Sequence, residues 1–278
     1  MRKSFILWGI LMCILGCTTD EPYFEQHEEQ LVQLSAQVMN FSNTPSIASE
    51  IKKISALIFN NDTRLFYKEI AFDVIDTSYK FKIPEGTWDL ILLGTGDGLA
   101  PEFAAHLEPY ITHIDSSMLA LPYLSGTYGN TREYFYAHQV CTVSPETTEV
   151  PKMTLKRIVS RLNLNVSPEL SDILNRAQIT LCNVVSSVDF LGNPSDTYVH
   201  ESIHLTKEDI PEGAYTFTFY SFGSKPLGSD PNTDFMVDML YSMESSPTET
   251  LHFYMFSPSS FQTDGMVVNT ITKINLGL

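Results

Sequence analysis

The run His200-Glu201-Ser202-Ile203-His204 spells H-E-x-x-H, a spacing able to do metal chemistry. On a helix, residues i and i+4 share one face ~6 Å apart, so two imidazoles reach one zinc while the glutamate serves as general base. On a strand the same two residues stand ~13 Å apart and cannot share an ion. The surroundings favour a strand or an irregular edge: Val199, Ile203 and Leu205 form an apolar row, and the turn Ile210-Pro211-Glu212-Gly213 follows closely. A third ligand is missing as well. Position 207 is Lys, position 210 is Ile, and no Glu occurs between Glu212 and Glu244. His200 and His204 therefore read as surface residues and Glu201 as no general base. A zinc peptidase is the weakest functional reading, and no metal or cofactor is expected.

Cys17 carries a different chemistry. Met1-Arg2-Lys3 is followed by an apolar run over 4–16, too short for a bilayer that needs ~20 apolar residues, so it reads as a secretory signal. Its end, Ile14-Leu15-Gly16-Cys17, resembles the bacterial lipobox, in which the chain is cut between Gly16 and Cys17 and the cysteine is diacylated. More than one acyl chain, at ~0.8 kcal/mol per buried CH2, holds a protein on a membrane. An ordinary signal peptide cut elsewhere would leave Cys17 a spare thiol. The residues that follow, Thr18-Thr19-Asp20-Glu21-Pro22, resemble the surface-export signal of Bacteroidota lipoproteins. The expectation is an outer-membrane lipoprotein at the cell surface, with signal peptide 1–16 and tether 17–30.

Other candidate chemistry has plainer readings. Leu93-Gly94-Thr95-Gly96-Asp97-Gly98 follows a strand, but Leu99 stands where a dinucleotide fingerprint needs Gly and no alternating helix-strand pattern surrounds it, so it reads as an inter-strand loop. Tyr134-Phe135-Tyr136 could stack on a sugar, yet at period two such residues more often form one core face and one edge. Asp230 and Asp234 match no calcium loop. Cys141 and Cys182 each sit in an apolar run and are expected as two buried free thiols rather than a disulfide.

The elements that position these residues are strands. Apolar residues recur at period two nearly everywhere, as in Val32, Leu34, Ala36 and Val38. Strands are predicted at 54–59, 64–72, 79–83, 88–93, 134–143, 153–166, 178–185, 214–222, 251–256 and 267–278, with short helices at 101–107 and 168–176. The fold class is all-β with minor helix. The formal charge is −16, or −18 once residues 1–16 are removed, which excludes a nucleic-acid partner.

An internal echo divides the chain. Ile83-Pro84-Glu85-Gly86-Thr87-Trp88 returns 127 residues later as Ile210-Pro211-Glu212-Gly213-Ala214-Tyr215, each copy opening an apolar strand. Two tandem β-sandwiches of similar plan are expected, at 31–149 and 150–278, joined by the polar run Ser144-Pro145-Glu146-Thr147-Thr148-Glu149-Val150-Pro151.

With the lipobox, the first strand soon after it, the Pro84-Glu85-Gly86 opener and the basic strand Met153-Thr154-Leu155-Lys156-Arg157-Ile158-Val159-Ser160-Arg161-Leu162, the chain resembles the fimbrillin superfamily of Bacteroidales type V pili, in particular its FimB-type anchor and minor subunits. The resemblance implies transthyretin-like sandwiches, no catalysis, and donor-strand exchange with other fimbrial subunits. Stalk subunits of that family lose the first strand to a trypsin-like cut after a basic residue. Here no Lys or Arg occurs from Cys17 to Ile51, so the strand is expected to be kept, as suits an anchor. Ile274, Leu276 and Leu278 alternate with Lys273, Asn275 and Gly277, a pattern fit to fill alternate pockets in a neighbour. The alternative is a surface lipoprotein that captures a glycan or host ligand, recognisable by an exposed aromatic platform.

Overall fold

A computed structural model describes residues 28–39, 45–46, 51–73, 78–206, 209, 215–225, 236–243, 252–256, 266, 268–269 and 271–276. The fold is all-β. In chain order the strands are β1 (Glu29–Met39), β2 (Pro45–Ser46), β3 (Lys53–Asn60), β4 (Phe66–Asp73), β5 (Ser78–Pro84), β6 (Gly86–Thr95), β7 (Met118–Ala120), β8 (Tyr123–Leu124), β9 (Thr127–Tyr128) and β10 (Tyr134–Val143). They continue as β11 (Met153–Arg157), β12 (Ser160–Val166), β13 (Leu174–Val185), β14 (Ser187–Asp189), β15 (Tyr198–Thr206), β16 (Tyr215–Ser221), β17 (Met236–Met243), β18 (His252–Phe256) and β19 (Ile271–Leu276). One helical turn, α1 (Pro168–Ile173), precedes β13.

The first half builds a sheet in the order β2-β1-β11-β10-β6-β3-β4, with β5 pairing β1 off that path. The interior strand β6 explains the apolar run at 90–93, because it is buried on both faces. Trp88, Leu90 and Leu92 enter a core with Val32, Leu34, Phe81, Phe135 and Leu155. Ile91 and Leu93 enter a second core on the opposite face. The opener of β6 has a physical cause: Gly86 takes φ 137°, open to glycine, and the Trp88 indole N–H donates back to the Pro84 carbonyl at 2.9 Å.

The second half forms a three-stranded sheet, β16-β12-β19, and a six-stranded sheet, β18-β17-β13-β15-β9-β8. Leu162 and Leu164 of β12, Phe217 and Phe219 of β16, Ile179 and Leu181 of β13 and Met239 of β17 share one core with Leu57, Phe59, Ile91 and Leu93 from the first half. This second core is thus continuous across the middle of the chain.

Three sequence expectations change. The predicted strand 153–166 is two strands: β11 lies between β1 and β10 in the first sheet, and only after Ile158 and Val159 does β12 enter the second half. The strand expected to open a second unit at 150 therefore belongs to the first, because Met153 and Leu155 fill the first core. Residues 101–107 form no helix; Phe103 bridges to Leu119 instead. The helix predicted to reach Arg176 stops at Ile173, since Leu174 already pairs with Met243. The second copy of the echo, Ile210 to Ala214, lies outside the described residues, while Tyr215 opens β16.

Candidate functional site

His200 and His204 both lie on β15 and are exposed, whereas Glu201 is fully buried on the opposite face. Four residues along a strand separate the imidazoles by ~13 Å, beyond the reach of one ion. Glu201 Oε1 accepts the Thr131 N–H at 3.3 Å, and burial pushes its pKa well above the carboxylate range, with the Thr131 hydrogen bond opposing that shift. The arrangement pins residues near Thr131 to β15 and turns Glu201 to the face opposite the two histidines.

The other chemistry-bearing residues are structural too. Cys141 and Cys182 are free and buried, and burial pushes their thiols up to about 11 and about 12. A Cβ at Gly94 would meet Ile51 Cδ1 at 2.9 Å, so that glycine serves packing. The loop after it closes on itself: Thr95 Oγ1 donates to the Leu99 carbonyl at 2.6 Å and the Leu99 N–H donates to Asp97 Oδ1 at 2.9 Å. Tyr134 and Phe135 are buried in opposite cores, and the partly buried Tyr136 donates its hydroxyl to the Phe190 carbonyl at 3.1 Å. Asp89, 1% exposed, is satisfied by Asn61 at 2.8 Å, Arg64 at 3.2 Å and His138 at 2.7 Å.

The first and last described strands are β1 and β19. β1 joins two parts of the first sandwich: Glu29 to Ser35 run antiparallel to β5, and Ala36 to Met39 run parallel to β11. Val32 and Leu34 are fully buried. Among the described residues β5 pairs only with β1, so without β1 it would lose its ladder and β11 would gain an open edge. The first basic pair, Lys52-Lys53, is tied down. Lys52 donates its N–H to the Thr95 carbonyl at 2.9 Å, and Lys53 already pairs with Asp73 and Thr95.

At the other end β19 runs parallel to β12, from Arg161 opposite Ile271 to Val166 opposite Leu276, and among the described residues forms the edge of its sheet. Ile274 packs against the second core, and Asn165 Nδ2 donates to Asn275 Oδ1 at 2.8 Å. Of the proposed donor residues, Ile274 and Leu276 thus occupy alternate ladder positions. Leu278, like Gly16 and Cys17, lies outside the described residues.

Solved structures share this arrangement. A candidate adhesin from Bacteroides ovatus superposes with a TM-score of 0.56 at 10% identity, covering 89% of this chain and 88% of that one. The fimbrial anchor protein Mfa2 from Porphyromonas gingivalis gives 0.53 at 14% identity, with 89% and 90% covered. The chain has the fold of Bacteroidales fimbrial proteins. A candidate adhesin from Bacteroides thetaiotaomicron gives 0.52 at 9% identity over 91% and 93%. No protein-family model matches the sequence, and no curated protein does. This fimbrial fold is therefore visible in three dimensions where sequence identity has fallen to 9–14%.

One surface feature escaped the sequence reading. The β8–β9 hairpin, at the edge of the six-stranded sheet, shows Tyr123 60% and Leu124 77% exposed. Its turn residues Ser125 and Gly126 have φ 52° and 89°, the positive pair of a type I′ turn, and the Ser-Gly pair was the signal for it.

Proposed function

We propose that this chain is a lipid-anchored fimbrial subunit of the anchor type, held in the outer membrane through Cys17 and joined to other subunits by strand exchange, with no reaction to catalyse. The observation that carries the reading is β1. It is an eleven-residue strand that completes the first sandwich, and no Lys or Arg lies between Cys17 and Ile51 at which a trypsin-like protease could remove it. A subunit that keeps this strand keeps its own groove filled and its lipid attached.

The outgoing connection falls to β19. It has one ladder neighbour among the described residues, so leaving β12 costs a single six-residue ladder that a neighbour's sheet can replace. The likeness to the Mfa2 anchor supports the same role.

Mass spectrometry of the assembled form tests the reading. The expected N-terminus is acylated Cys17 with β1 present, and deletion of residues 271–278 detaches the fibre. An assembled form beginning near Ser55, labelled fatty acid entering Cys17→Ala, or attachment unchanged by the deletion would sink it.

A further inference from the structure

The face of β11 that turns away from the first core opens on a cleft of ≈ 530 Å³. Lys152, Thr154 and Lys156 lie along its lining, Tyr136 and His138 come from β10, and Leu191, Val268 and Asn269 close it from the second half. The charges are segregated. The lining includes Lys152, Lys156, Arg157 and His138 and no Asp or Glu, in a chain with 33 acidic residues against 17 Lys and Arg; Arg157 meets Glu133 and His138 meets Asp89, each at 2.7 Å, so the charge offered to the cleft is that of the two lysines.

Several cations elsewhere are neutralised: Lys68 meets Glu29 at 2.7 Å, Arg64 meets Asp115 at 2.6 Å, and Arg132 meets Asp97 at 3.4 Å. Lys152 and Lys156 are exposed and form no ion pair among the described residues. Lys152 immediately precedes β11 and Lys156 lies on it, four residues on, so in extended chain their Cα atoms are ~13 Å apart. The cleft thus offers two uncompensated ammonium groups above a partly apolar wall of Ile158, Leu191 and Val268.

We propose that this cleft binds an anionic saccharide, Lys152 and Lys156 meeting its acidic groups while Ile158, Leu191 and Val268 pack on the C–H faces of the sugar rings. The volume lies within the ~300–1,000 Å³ of small-ligand sites, and junctions between packed units are where such sites concentrate. Lysine acts as a point charge, so carboxylate and sulfate both suit it. An acidic peptide fits less well. It has little room to add as a strand, because β1 pairs Met153 to Lys156 on one edge and β10 pairs Lys156 and Arg157 on the other, which leaves only Met153 to Leu155 open toward β10.

Calorimetric titration of the full chain with tetragalacturonate, a sulfated tetrasaccharide, maltotetraose and hexaglutamate tests the site. At least one of the two anionic sugars is expected to bind one-to-one, with maltotetraose silent. The Lys152→Gln/Lys156→Gln double variant should weaken that binding by about tenfold or more, as lost charge-assisted contacts do, and added salt should weaken it in the wild type. Both side chains are exposed, so the variant should fold, and circular dichroism checks that it has. The proposal is overturned if neither anionic sugar binds at millimolar concentration, if the double variant binds as the wild type does, or if hexaglutamate binds as tightly as the sugars.

Discussion

Val150 donates its backbone N–H to the carbonyl of Gln33 at 3.0 Å, and Gln33 donates in turn to the carbonyl of Thr148 at 2.8 Å. The polar run over 144–151, which by composition is a linker, is thereby stitched to β1, with Val150 only 6% exposed. The chain then continues into β11 beside the same strand.

A nick in this run should not release a domain. Glu146 is exposed, so a glutamyl endoprotease has access there. The two chains are expected to elute together in gel filtration and to unfold in one transition, because β11 is paired into the first sheet and the second core spans both halves. Separation into two folded fragments would show a hinge instead.

The contribution of β1 can be measured by contrast between two neighbours. Leu34 is fully buried, and Leu34→Ala should cost ~2–5 kcal/mol through lost burial and the cavity it leaves. Leu31 is 57% exposed, and Leu31→Ala should stay within about 0.5 kcal/mol of wild type. Equal effects in denaturant titrations would mean that β1 does not fill the first core as described.

Stability should also carry a pH signature from Glu201. Burial raises its folded-state pKa well above 4.5, so the folded protein keeps a proton that the unfolded chain has released. Its contribution is fully present below 4.5 and is lost as pH rises toward the folded value. Glu201→Gln cannot ionise. It should flatten that decline and be more stable than wild type near pH 8, the advantage shrinking as the pH falls toward about 4. Urea titrations at three pH values read the slope, and an unchanged slope in the variant would refute the assignment.

Metal analysis addresses the His200-Glu201-x-x-His204 motif. No stoichiometric zinc is expected, and His204→Ala should leave metal content and thermal stability unaltered. One-to-one zinc that vanishes in His204→Ala would require β15 to give way to a helix.

Much of the fold was legible because period-two alternation is a local consequence of half-burial. Val32, Leu34 and Ala36 marked β1, and the apolar residues of 88–93 marked a strand, which the structure buries on both faces. β17 was missed because Met236 and Leu240 on its less buried face blur the alternation of Val237, Met239 and Tyr241. The helix expected at 101–107 failed because Phe103 and Leu107 are drawn into the second core, a tertiary demand that local propensity does not register.

By itself the sequence determined the all-β class, a strand-like setting for the histidine pair, the two buried thiols, and the lack of a basic residue between Cys17 and Ile51, because each rests on residue type and short-range spacing. Which strand meets which was decided only by the tertiary structure. Nothing in Met153-Thr154-Leu155-Lys156-Arg157 states that it runs parallel to β1 rather than opening the second half, since ladder partners lie more than a hundred residues away. The cleft of Lys152 and Lys156 has the same origin. Its two lysines are four residues apart in sequence, but the wall facing them comes from Leu191 and Val268, and only folding brings them together.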